Sequence, residues 1–95
     1  MINERHISVW NYCLNFILQN IDPKQFSVWF RPITPVSLVD STITVEVPSE
    51  FFREYLEGAY LDILKAALKK ELGAAAKLLY VVTPVQKQQS LVYPA

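Results

Sequence analysis

Ninety-five residues suit one domain with a single core, and nine Lys/Arg balance nine Asp/Glu, so no global field draws the chain to DNA or an acidic membrane. Two glycines exclude a glycine-rich phosphate loop, and one cysteine, Cys13, excludes an internal disulfide and fits a reducing compartment. Hydrophobic residues reach 52% and aromatic residues 13%, more than so small an interior absorbs, so part of this surface is expected at a contact patch.

Residues 4 to 20 predict a first helix. Trp10, Cys13, Leu14, Ile17, Leu18 and Ile21 recur at helical spacing, with Val9, Tyr12 and Phe16 as a second stripe beside them. Only Asn11, Asn15 and Gln19 mark a clearly polar face. The apolar arc is wider than one core-facing stripe requires. Either the helix is deeply buried, or one face meets the core and another a partner.

Asp22-Pro23 suits the start of a second, short helix over Lys24 to Phe30, with Asp22 as cap and Pro23 at its first position. Pro32 and Pro35 end it. Period-two patterning then runs through residues 36–39 and 42–47 around Asp40-Ser41, which predicts a β-hairpin whose turn lacks glycine. Ser49 and Glu50 open what reads as one long helix, stopped by Gly73, with Gly58 inside it. Residues 77–83 predict a final strand, apolar enough to be central or covered on both faces. From Pro84 the chain turns polar and reads as the start of a flexible linker. The expected organisation is one α+β, two-layer domain in the order α-α-β-β-α-β over residues 1–83, with linker over 84–95.

Sites of chemistry are sparse. His6 is the only histidine, and Cys13 lies on an apolar stripe with no base or positive field that can be named beside it. No metal site, cofactor or catalytic group is expected, and neither is enzyme activity. No run approaches a membrane span and no signal peptide is visible, so a cytoplasmic location is expected. Arg31, Arg53, Lys65, Lys69, Lys70 and Lys77 could converge in space, with Phe51, Tyr55, Tyr60 and Tyr80 as candidate stacking residues. A small accessory domain for single-stranded nucleic acid is therefore the alternative to a protein-interaction module.

Trp10-x-x-Cys13-Leu14, Phe26-x-x-Trp29-Phe30-x-Pro32, the hairpin, Val47-Pro48-x-x-Phe51 and a long helix bearing Tyr60 follow in order. Over residues 7 to about 83 this set resembles the N-terminal domain of the DnaA family of bacterial replication initiators. The resemblance implies a K-homology-like topology without the GXXG clamp. It implies self-association through the first helix at Trp10, with Val9 and Cys13 beside it. It also implies a surface for the replicative helicase and initiation regulators at Gln25, Phe26 and Phe51, and weak contact with single-stranded DNA. Two positions depart from the family pattern: Gln25 stands where an acidic residue is usual, and Tyr55 where tryptophan is common. Neither an ATPase module nor a duplex-binding helix-turn-helix fits within these residues, so ATP hydrolysis and origin recognition are not expected of them.

Overall fold

The computed structural model of the protein describes residues 4–83. The expected linker at 84–95 lies outside the described residues. The period-two segments form β1 (Thr34–Val39) and β2 (Thr42–Val47), paired antiparallel. Val39 faces Thr42 across a two-residue loop, and Asp40 takes φ 56° there. That left-handed conformation is one a short polar side chain tolerates where glycine is missing. The register shifts between Pro35 and Ser37, so Val36 is the extra residue of a bulge.

β3 (Lys77–Val82) joins β2 in parallel, giving the sheet order β1-β2-β3. Parallel pairing needs a crossover, supplied here by the helices between β2 and β3. The central strand is therefore β2, whose Ile43, Val45 and Val47 are fully buried. The expectation for the last strand is corrected: β3 lies at an edge, with Leu79 and Val81 exposed and only Leu78, Tyr80 and Val82 turned inward. Its apolar outer positions share the open face of the sheet with Thr42, Thr44 and Glu46.

The helical layer covers the other face. α1 (Arg5–Leu18) directs Val9, Trp10, Cys13 and Ile17 inward and packs on β1 and on the later helices. α2 (Pro23–Trp29) begins with proline at its first position. Asp22 does not cap it through its side chain; only its carbonyl accepts a helical bond, from the Phe26 N–H at 3.0 Å.

The single long helix expected after the hairpin is two helices, α3 (Glu50–Ala59) and α4 (Leu61–Leu72), so the element order is α-α-β-β-α-α-β. The chain breaks at Tyr60, at φ −126° and ψ 15°. Gly58 occupies the last turn before the break, where a weak helix former loosens the end. The break lets α3 lie against β2 and β3 while α4 packs on α1. Ser49 Oγ accepts from the Phe52 N–H at 3.1 Å and caps α3, and Gly73 at φ 89° ends α4.

One continuous core results, built on Trp10, Phe30, Ile43, Val45, Leu56 and Leu64. The chain is an α+β domain with helices on one face of a three-stranded mixed sheet.

Candidate protein-docking surface

The α2–α3 junction gathers most of the aromatic side chains. Trp29, in the last turn of α2, stacks on Tyr55 with centroids 3.8 Å apart and planes inclined 19°. Phe52 meets the same indole at 5.0 Å and Phe51 at 6.5 Å. Tyr60 packs edge-on against Tyr55 and against Phe30, which in turn stacks on Phe26. The cluster thus runs from the core at Phe26 and Phe30 to the surface at Phe51. Pairs of this kind contribute about 0.5–1.5 kcal/mol each beyond the area they bury, enough to hold the outer rings in place.

The capped first turn of α3 sets where Phe51 points. Phe51 and Phe52 are adjacent, hence about 100° apart around the helix, and cannot share an environment. Phe52 turns to the core and Phe51 remains 69% exposed. Val28, beside Trp29 in sequence, is exposed as well. Gln25 Oε1 accepts a hydrogen bond from Tyr60 Oη at 3.3 Å, which ties the start of α2 to the α3–α4 break. Burial, then the nearby Tyr55 and Asp22, raises the Tyr60 pKa, so the phenol keeps the proton it donates.

Gln25 and Phe51 therefore sit on one aromatic surface, linked through Tyr60, Tyr55 and Trp29. Phe26 does not share their exposure. It is 4% exposed, stacked on Phe30, with the Arg31 guanidinium 5.5 Å above its ring. It supports the surface from beneath. Sequence reasoning singled out neither Val28 nor Trp29 as a surface residue; the signal available was three large apolar side chains in succession, Val28-Trp29-Phe30, on a short helix that can bury only one side.

The three residues expected on a self-association surface lie elsewhere. Val9, Trp10 and Cys13 are all in the core, with Trp10 at 1% exposure. They occupy the side of α1 that faces β1 and α4, so their side chains are not available to a partner in this fold. The over-wide apolar arc divides differently: its exposed members are Tyr12 and Leu18, and Ile7, outside that arc, is exposed on the same helix. Trp10 Nε1 is buried without a hydrogen-bond partner among the described residues. Burial, and secondarily Glu71, pushes the Cys13 thiol up to about 12, which leaves it protonated and inert as a nucleophile at neutral pH.

The cations gather only in part, around one groove that excludes Arg31. Arg53 is tied to Glu50 and to Glu57, the latter at 2.9 Å. Arg31 covers Phe26, while Lys65, Lys69 and Lys77 line a separate groove. Among the described residues no group of three or more His, Cys, Asp or Glu side chains could hold a metal ion, and no helix is long and apolar enough to cross a membrane.

Fold and surface together define a class: a small α+β domain that displays stacked aromatic side chains at a helix–helix junction. Residues 7–70 match the DnaA N-terminal domain family, and the chain belongs to that family. It is 48% identical over 81 residues to the chromosomal replication initiator protein DnaA of Flavobacterium psychrophilum, covering 85% of this chain and 17% of that one. It is 40% identical over 82 residues to the protein of that name from Bacteroides thetaiotaomicron, covering 86% of this chain and 17% of the relative. With that of Chlorobaculum tepidum it shares 43% over 81 residues, 85% of this chain and 16% of the relative. The chain thus spans about one sixth of the length of these relatives.

Proposed function

We propose that the chain is the non-catalytic interaction module of a chromosomal replication initiator, acting in the cytoplasm, and that the α2–α3 aromatic surface receives the replicative helicase and the regulators of initiation. The observation that carries this reading is Phe51: a large aromatic ring, 69% exposed yet held against Trp29 at a capped helix start. Pre-ordered aromatic anchors dominate binding energy at protein interfaces because they bury large area at small entropic cost. Gln25 contributes a hydrogen-bonding amide at the edge of the surface, not the charge that an acidic residue would bring.

Self-association belongs to the same proposal, with a changed surface. Ile7 and Tyr12 on the solvent side of α1 replace Trp10, Val9 and Cys13 as the contact residues. The buried three hold α1 in place beneath them. Direct work on single-stranded DNA is the weaker reading, because the exposed aromatic rings and the groove-lining lysines lie on different parts of the surface, whereas a stacking platform needs them interleaved.

The test is a titration of the chain with the purified helicase of the same organism, followed by calorimetry. Phe51→Ala should lose at least about tenfold in affinity, corresponding to roughly 1.4 kcal/mol, while its thermal unfolding stays near that of the parent. Unchanged affinity in the folded variant would remove the α2–α3 surface from consideration. Sedimentation equilibrium of Tyr12→Ala tests the α1 surface in the same way.

A further inference from the structure

A second surface lies on the opposite flank of α3. Phe51 and Arg53 are about 200° apart around that helix, so the side bearing Arg53 and Glu57 faces away from the aromatic cluster. Beyond Glu57 a groove of about 530 Å³ opens between α4 and the edge strand β3. Leu61, Leu64 and Leu68 line one wall at helical spacing, and Leu78, Leu79 and Tyr80 line the other. Lys65 and Lys69 lie on the same stripe of α4, and Lys77 opens β3. None of the three lysines is in an ion pair among the described residues, whereas Glu57 is held by Arg53. The net field of the groove is positive around an apolar floor.

The backbone beside the groove is unpaired. Lys77 N–H donates to the Ser41 carbonyl and Thr83 N–H to the Val47 carbonyl, both on the β2 side. Alternation along the strand therefore turns the N–H and C=O groups of Leu78, Tyr80 and Val82 to the free edge. Bare edges of this kind are templates for an added strand.

We propose that the β3 edge and the α4–β3 groove bind an extended segment of a partner protein whose groove-facing positions, every second residue, carry both aliphatic and acidic side chains. Backbone pairing to Leu78, Tyr80 and Val82 supplies the register, and the peptide side chains that face α4, every second residue, bring aliphatic groups to the leucine-lined floor and carboxylates to Lys65 and Lys69 at its rim. Charge selects this occupant over the others at hand. A second copy pairing through its own β3 brings Lys-Leu-Leu-Tyr-Val-Val, a further lysine and no carboxylate, and residues 84–95 contain no Asp or Glu. Single-stranded nucleic acid would find here one half-buried ring, Tyr80, and no row of exposed aromatics to stack on.

The probe is a ten-residue peptide with serine at every second position and valine and glutamate taking turns at the others, titrated into the ¹⁵N-labelled chain, with its lysine-for-glutamate counterpart (the lysine–valine peptide) and a twelve-residue oligothymidylate as comparisons. Shift changes should centre on the amides of Leu78, Tyr80 and Val82 and on α4. Lys65→Glu with Lys69→Glu should weaken binding at least about tenfold with the spectrum of the folded state retained, and added salt should weaken it further. Phe51→Ala should leave it unchanged, which separates this groove from the aromatic surface. Equal binding of the lysine–valine peptide, shifts confined to α2 and α3, insensitivity of the double variant, or tighter occupation of the groove by the oligothymidylate would each overturn the proposal.

Discussion

Trp10 and Phe51 are large aromatic residues on helices of one small domain, and burial separates their roles. Truncating a buried indole removes its contacts and leaves a cavity, at a cost of about 3–5 kcal/mol. A domain of this size has only about 5–15 kcal/mol in total. Trp10→Ala should therefore show a large drop in its urea midpoint, and a loss of assembly in that variant reports unfolding instead of a broken interface. Phe51→Ala removes only a peripheral ring contact and should cost less than about 1 kcal/mol. Circular dichroism melts of the two variants side by side check both statements. Trp10→Phe should fall between them, because it keeps most of the packing and deletes an indole N–H that has no partner among the described residues.

The α3–α4 pair shows how a helix is interrupted by packing. Gly58 lies in the last turn of α3, and a Cβ added there would meet nothing within 4 Å. Gly58→Ala should therefore raise stability by about 0.5–1 kcal/mol through helix propensity alone. An unchanged or lower denaturation midpoint would show that the glycine serves the break at Tyr60. Gly73 differs: at φ 89° a side chain is strained whatever the space around it, and Gly73→Ala should cost about 1–2 kcal/mol. At the other end of α3, Ser49→Ala removes the acceptor for the Phe52 N–H and should cost about 1 kcal/mol. That loss would also loosen the turn that aims Phe51, so helicase affinity should decline with it.

Cys13 and Tyr80, with a further share from Tyr60, make the whole molecule sensitive to alkali. Burial, then Glu71, raises Cys13 from 9.0 to about 12. Tyr80 rises from 10.0 to about 12, first by burial and then by Glu57, with Arg53 opposing. Both shifts mean that the folded chain holds protons the unfolded chain releases between these values. Stability is thus fully present below pH 9 and falls as pH climbs toward 12, by at most about 1.4 kcal/mol per pH unit for each group. Urea midpoints measured at pH 8, 10 and 11 should decline in that order. In Cys13→Ala the decline should begin about one pH unit later, where the phenols of Tyr80 and Tyr60 remain to titrate. A flat profile in the parent chain would mean that neither group is as enclosed as the packing around α1 and β3 indicates.

Local pattern determined a good deal of this protein. Period-two alternation placed the hairpin, Pro23, Ser49 and Gly73 marked helix ends, and adjacent Phe51 and Phe52 required that one of them face outward. These signals act over a few residues, where steric limits and hydrogen bonding along the chain decide the outcome. The ordered set of motifs also carries the family resemblance. Tertiary structure alone decided the rest. An apolar strand such as β3 reads the same at an edge as at the centre, because its neighbours lie far away in sequence. The broad apolar arc of α1 could not reveal which of its residues meet β1 and α4, so the resemblance put Val9, Trp10 and Cys13 at a contact surface where the fold holds them in the core. At the break, Tyr60 packs against Phe30 and bonds to Gln25, thirty and thirty-five residues away in the chain. Long-range packing of that kind carries no local signature, and it sets which face of this domain is left open to a partner.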